Sequence, residues 1–227
     1  MKMKDHLIYK KQENKFSIIS HRIILIVLIM ILIYQFTIDY NNIDKIYFLY
    51  LHQINLYLNI LYFLLCFISD IYKKDTKKSY QIFFHFCFSL SSSLPFIYLI
   101  IGIIYFGEEK FYSNISFTLL GMLISPIIFN FLETLIIKRY KPAYINPIFL
   151  ILFLTIYYCI MYSLAKMGLG NEFYRKYLLD IKFLGIIYFT TLFGAIFGWW
   201  MYKIVTRPKV KKIDLNNNID SSELSEE

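Results

Sequence analysis

The sequence predicts an all-α, polytopic membrane protein built as a bundle of about six transmembrane helices. Of its 227 residues, 58% are hydrophobic and 18% are charged, whereas about a quarter of the residues of a soluble protein are charged. The charges lie in short clusters between apolar stretches. Six stretches reach the length of about 20 residues that crosses a bilayer core. They are residues 16–36, 46–69, 80–105, 117–137, 145–165 and 183–205.

The distribution of Lys and Arg predicts that both termini lie in the cytosol. Of the 24 basic residues, 18 fall in the terminal segments and the second and fourth connections, and 6 fall in the other connections. Basic residues concentrate in cytosolic loops, so the side that carries the termini is predicted to be cytosolic. The same rule accounts for the net charge of +8, and we expect no nucleic-acid partner.

We divide the chain into three segments. Residues 1–15 form a basic cytosolic segment, residues 16–206 form the six-helix transmembrane domain, and residues 207–227 form a disordered cytosolic tail. The tail is polar and then acidic, and it has too few apolar residues to fold alone. The first apolar stretch is followed by no signal-peptidase site, which favours a true span.

Polar side chains within the spans indicate a candidate site, because they are costly in hydrocarbon. In the second span His52, Asn55 and Asn59 follow a helical spacing that places them on one face. The third and fourth spans add His85, Ser89, Ser92, Ser125, Asn130 and Glu133. These residues predict a polar pocket between spans two, three and four, with His52 or His85 as a base and Glu133 orienting or charging a partner. The alternative is interhelical hydrogen bonding that holds the bundle together.

No motif for a cofactor or a metal ion is apparent. Cys66, Cys87 and Cys159 fall in apolar stretches without paired spacing, which is typical of buried thiols. The chain has no Gly-x-Ser-x-Gly elbow and no phosphate-binding Gly-rich loop. We therefore expect neither cofactor nor metal. Gly194 and Gly198 form a small-x-x-x-small pair that predicts close helix packing.

The order of these features resembles the androgen-induced-protein family of six-span membrane proteins. Residues 48–56 are similar to the family's Phe-Leu-Thr segment, and the resemblance covers roughly residues 34–203. Further matches in the family's order are Asn59, Ser69-Asp70, Pro95, Gly121-Met122, Phe129, Glu133, Pro142, Phe173-Tyr174 and Tyr177-Leu178.

The resemblance implies an intramembrane hydrolase of fatty acid esters of hydroxy fatty acids, with a Thr nucleophile and a His from a later span. In this chain those two positions carry His52 and Leu123. Since a Leu cannot move a proton, the resemblance implies a catalytically impaired member with a lipid-binding or scaffold role. The implied partners are membrane lipids and a fatty-acyl ester, and the implied location is the endoplasmic reticulum or another endomembrane, with the plasma membrane as an alternative.

Two other functions remain open. One is an active, rewired fatty-ester hydrolase with His52 and His85 as its catalytic residues. The other is an unrelated six-span transporter or membrane scaffold. Transporters often contain internal repeats and broken helices. Pro95 and Pro126 interrupt two spans, but the sequence shows no repeat.

Overall fold

The computed structural model describes the backbone of residues 2–39, 47–72, 78–105, 117–136, 143–170 and 172–222. Within these ranges the regular elements are helical and there is no strand, so the predicted all-α class is confirmed. The helices are α1 (Lys2–Asp39), α2 (Leu51–Ile71), α3 (Lys78–Tyr105), α4 (Phe117–Ile136), α5 (Pro147–Lys166), α6 (Glu172–Leu179) and α7 (Ile181–Ser222), with a 3-10 turn at Tyr47–Leu49.

Five of these helices are long and apolar enough to cross a membrane. Their apolar parts are Ile18–Thr37, Leu51–Ile71, Ser79–Leu99, Pro147–Lys166 and Ile181–Thr206. The remaining predicted span corresponds to α4, which has 20 residues and whose described side chains run from Leu123 to Thr134. A 20-residue helix is about 30 Å long, close to the thickness of a bilayer core. The predicted polytopic helical bundle is confirmed, and the cytosolic placement of the termini stays a prediction.

The outer surface of the bundle is apolar. Large exposed side chains on α1, α5 and α7 are Ile23, Met30, Ile148, Leu152, Phe189, Phe193 and Trp200. Soluble monomers rarely expose a continuous apolar surface of this kind, whereas lipid tails solvate it well. The chain is therefore an integral membrane protein.

Helix α3 is the most buried span. Of its apolar part 61% is buried, against 22% to 39% for the other four spans. It runs antiparallel to α2, because His52 lies beside Tyr98 while Asn59, further along α2, lies beside Ser91. Residues on α3 therefore meet the polar face of α2 along most of its length.

Local signals explain how α5 begins and ends. The Asn146 side chain accepts a 3.0 Å hydrogen bond from the backbone N–H of Ile148, and Pro147 occupies the first helical position. After α5 the chain turns through Gly168, whose φ of 76° is a conformation that L side chains rarely adopt.

The flanking segments are helical in the described backbone. Helix α1 begins at Lys2, within the predicted segment 1–15, and α7 continues to Ser222, well into the predicted tail 207–227. The division of the chain at residues 15 and 206, with a disordered tail, stays a prediction. Residues 223–227 lie outside the described residues.

Candidate functional site

A buried charged centre joins α1, α2 and α4. The Nδ1 atom of His21 lies 2.6 Å from Oδ2 of Asp70, and its Nε2 atom lies 3.0 Å from Oε2 of Glu133. His21 is only 2% exposed and Glu133 is equally buried, while the Asp70 side chain is 15% exposed. Three spans therefore bring one imidazole and two carboxyl groups together near the ends of α2 and α4.

The two contacts of His21 determine how many protons, or which ion, the centre must hold. A carboxylate only accepts hydrogen bonds, and a neutral imidazole donates from one of its two nitrogens. Since both His21 nitrogens face carboxyl oxygens, a neutral ring beside two carboxylates would leave one N···O contact without a hydrogen. The arrangement requires a second proton on the ring, a proton on one carboxyl group, or a cation between the ligand atoms.

Two more side chains of α2 reach this centre. The Tyr62 hydroxyl donates a 2.9 Å hydrogen bond to Oε1 of Glu133. Cys66 is a fully buried thiol, and one ligand atom from each of His21, Cys66 and Glu133 lies within 4.8 Å of the others. The centre therefore combines nitrogen, sulfur and oxygen donors from three helices.

A second polar cluster lies deeper in the bundle, between α2, α3 and α4. The amide of Asn59 donates to Ser91 Oγ at 3.2 Å and to the Asn55 side chain at 3.2 Å. Ser91 donates to Asn55 at 3.0 Å, and Asn130 donates to Asn59 at 2.8 Å and to Ser91 at 3.1 Å. The predicted residues Asn55, Asn59 and Asn130 are thus brought together, with Ser91 as the residue that links them.

Two buried polar atoms of this cluster have no hydrogen-bond partner among the described residues. They are Nδ2 of Asn55 and Oδ1 of Asn130. A buried polar atom without a partner is costly, so a polar group of a ligand or a water molecule would be stabilised here. The Oγ atom of Ser125 is also buried without a partner among the described residues, but Ser125 lies five residues before Asn130 on α4, about 140° around the helix from it. Its place in the predicted pocket stays a prediction.

Ser89 and Ser92 do not belong to this polar cluster. Each donates to its own helix, Ser89 to the carbonyl of His85 and Ser92 to that of Phe88, both at 2.8 Å. A Cβ atom added at Gly198 would lie 2.5 Å from the Cβ of Ser92 and 3.1 Å from the Cα of Ser89. These serines therefore form the small-residue face against which α7 packs, and their place in the pocket stays a prediction.

The hydrogen bonds between α2 and α4 fix a parallel register. Asn59 and Asn130 are 71 positions apart, and so are Tyr62 and Glu133. His52 and Leu123 have the same separation, so this register brings Leu123 to the level of His52 at the other end of α2. Leu123 is 5% exposed and belongs to a buried apolar cluster.

The two histidines predicted as catalytic lie at different depths. Within the described part of the chain, His52 has one hydrogen-bonding contact, from Nδ1 to the Tyr98 hydroxyl at 3.4 Å. Tyr98 and His85 are 13 residues apart on α3, which corresponds to about 20 Å along the helix axis. The structure therefore does not bring His52 and His85 together, and a catalytic role for either one stays a prediction.

Both nitrogens of His85 are used in packing. Its Nδ1 accepts a 2.8 Å hydrogen bond from the backbone N–H of Ile145, and its Nε2 donates to the carbonyl of Trp199 at 3.3 Å. The ring stacks on Tyr202 with centroids 4.3 Å apart. His85 thus fastens the segment before α5 to α3 and α7.

Sequence reasoning assigned Glu133 a role but none to His21, Tyr62, Cys66, Asp70 or Ser91. A usable signal existed on α2, because the stripe of Asn55 and Asn59 continues to Tyr62, Cys66 and Asp70 in steps of three or four residues. His21, a titratable residue within an apolar stretch, was a second signal.

Comparison with known proteins finds no match, since no family model, no curated protein and no solved structure is similar to this chain.

Proposed function

We propose that this is an endomembrane protein that binds a fatty-acyl ester within its helix bundle and does not hydrolyse it. In this proposal it is a catalytically impaired relative of the androgen-induced-protein hydrolases. The observation that carries the proposal is the shared register of α2 and α4. It brings to one level His52 and Leu123, the positions that the resemblance aligns with the family's nucleophile and base.

The chemistry at these positions supports the loss of catalysis. Leu123 has no group that accepts or donates a proton, and its surroundings are apolar. His52 contacts the Tyr98 hydroxyl at the long distance of 3.4 Å, and His85 lies about 20 Å away along the bundle. An enzyme that loses one member of a nucleophile–base pair loses most of its chemical rate enhancement.

The polar cluster supports ligand binding. Asn55 Nδ2 is a buried donor without a partner among the described residues, and an ester offers oxygens that would accept from it. Asn55 lies one helical turn from His52, so a bound ester would lie close to the level of His52 and Leu123. A long acyl chain enters such a site from the surrounding lipid, which is as apolar as the bundle interior, so the binding energy comes from the polar contacts of the ester and from packing.

The test is hydrolysis of a fatty acid ester of a hydroxy fatty acid by the full chain in liposomes. We expect no activity from the wild type and measurable activity from the double variant His52→Thr, Leu123→His. The matched control is His52→Thr, Ile124→His, because Ile124 is 39% exposed on the outer face of α4. The control should stay inactive, since its His faces lipid.

Each other result counts against the proposal. A wild type that hydrolyses the ester, and loses this activity in His52→Ala, would establish the rewired hydrolase instead. A folded double variant that stays inactive would contradict the preserved scaffold. Ligand binding is tested separately with a photo-crosslinkable acyl ester, for which Asn55→Leu should reduce labelling and Ser92→Ala should not. Equal labelling of both variants would favour a transporter or scaffold without this pocket.

A further inference from the structure

The centre at His21 contains the donors of a metal site. His21 on α1, Cys66 on α2 and Glu133 on α4 supply an imidazole nitrogen, a thiol sulfur and a carboxyl oxygen, and all three residues are buried. Buried charges are paired or coordinate a metal, and the buried Cys66 thiol adds a sulfur donor beside the pair of His21 and Glu133. The set of donors is the one that zinc and similar transition metals bind.

The distances fit one shared ion. The Nε2 atom of His21 and the Oε2 atom of Glu133 are 3.0 Å apart. Two ligand atoms that bind one zinc ion at about 2.0–2.2 Å with near-tetrahedral angles are separated by about 3.3 Å. The ligand atoms of the three residues lie within 4.8 Å of one another, and an ion shared by all three would draw them closer together.

Two neighbouring residues orient the ligands as they do in known metal sites. Asp70 lies 2.6 Å from Nδ1 of His21, on the ring nitrogen away from Glu133. A carboxylate in that position fixes the tautomer that leaves Nε2 free to bind a metal. The Tyr62 hydroxyl binds the second oxygen of Glu133 at 2.9 Å and so directs Oε2 toward His21.

We infer that His21, Cys66 and Glu133 bind one divalent transition-metal ion, zinc by the preference of the donors, with Asp70 and Tyr62 as positioning residues. The ion takes the place of the proton between Nε2 and Oε2, and it also displaces the proton of the Cys66 thiol. Three protein ligands leave a fourth coordination position for water or another ligand. Magnesium and calcium are disfavoured, because they prefer oxygen ligands.

The centre is reachable from one end of the bundle. His21 lies three residues inside the apolar part of α1, and Asp70 lies one residue before the end of α2. The Asp70 side chain is 15% exposed, so an ion reaches His21 without crossing the bundle. The inference is independent of ester binding, which concerns the opposite end of α2, about 27 Å from Asp70.

The test is metal binding by the purified full-length protein in detergent. After loading with zinc and removal of unbound ion, elemental analysis should find one zinc per chain in the wild type. Cobalt should bind with visible ligand-field bands and a thiolate-to-cobalt charge-transfer band. Cys66→Ser should abolish the charge-transfer band, and Cys87→Ala, which removes another buried thiol, should keep it. Asp70→Asn should weaken affinity about 10- to 100-fold.

A wild type without stoichiometric zinc would overturn the inference, and this measurement depends on no variant. The inference would also be wrong if the charge-transfer band persisted in Cys66→Ser, because the sulfur would then come from elsewhere. If His21→Ala folded and bound zinc as tightly as the wild type, the imidazole would be excluded as a ligand and the site as proposed would be wrong.

Discussion

The Tyr62 hydroxyl donates a 2.9 Å hydrogen bond to Glu133 and thereby ties α2 to α4. The two residues are 71 positions apart, the same separation that the Asn59–Asn130 bond spans. Because both bonds span the same sequence separation, they define a single register between α2 and α4. The charged centre and the amide cluster are therefore held by the same pair of helices.

Tyr62→Phe should destabilise the protein by about 1.5–3 kcal/mol, the range for hydrogen bonds to charged groups. The change leaves the ring in its contacts with Phe63 and Phe84 and removes only the hydroxyl. The matched control is Tyr57→Phe, because the Tyr57 hydroxyl has no hydrogen-bond partner among the described residues. The free energy of unfolding is measured by SDS titration in mixed micelles. Equal losses in both variants would contradict a specific role for the Tyr62 bond.

Ser91→Ala should cost about 1–3 kcal/mol, since it leaves buried groups of the amide cluster without a partner. Ser91 bonds to three side chains on two other helices, whereas the neighbouring Ser92 bonds to its own backbone. Ser92→Ala should therefore change stability by less than about 0.5 kcal/mol. The same titration compares the two variants, and a Ser92→Ala loss as large as that of Ser91→Ala would place the polar contacts on the wrong face of α3.

The sequence was sufficient for the helical bundle and for part of its polar interior. Long apolar stretches predicted the spans, and the spacing on α2 predicted that Asn55 and Asn59 share a face. The sequence could not show that Ser91, rather than Ser92, joins the polar cluster, because neighbouring serines on α3 differ only in the helix that each one faces. That distinction depends on the rotation of α3 against α7.

The charged centre was harder to predict for a different reason. His21 is 49 residues from Asp70 and 112 residues from Glu133 in sequence. A metal motif read from spacing requires ligands on one local element, and these ligands come from three helices. Their proximity follows only from the packing of α1 and α4 on α2.

Gly198→Ala should destabilise the bundle, because its new methyl group would lie 2.5 Å from the Cβ and Oγ of Ser92. Overpacking of this kind costs about 1–3 kcal/mol. Gly185→Ala on the same helix is the control, since a methyl group there would meet nothing within 4 Å. That control should be neutral or stabilising by up to about 1 kcal/mol through helix propensity. Thermal denaturation in detergent measures both, and a neutral Gly198→Ala would show that α3 and α7 are not in close contact.

His85→Phe should destabilise the protein more than His52→Phe. The Phe ring keeps the aromatic contact with Tyr202, but it leaves the buried N–H of Ile145 and the carbonyl of Trp199 without their partner. An unsatisfied buried donor costs about 1–3 kcal/mol. Among the described residues, His52→Phe loses one hydrogen-bonding contact, the 3.4 Å approach of Tyr98, so its cost should stay below about 1 kcal/mol. The free energies of unfolding of the two variants test this prediction. If His85→Phe caused no loss of stability, the hydrogen bonds of His85 would not hold the segment before α5 in place. A catalytic role for His85 would then be favoured again.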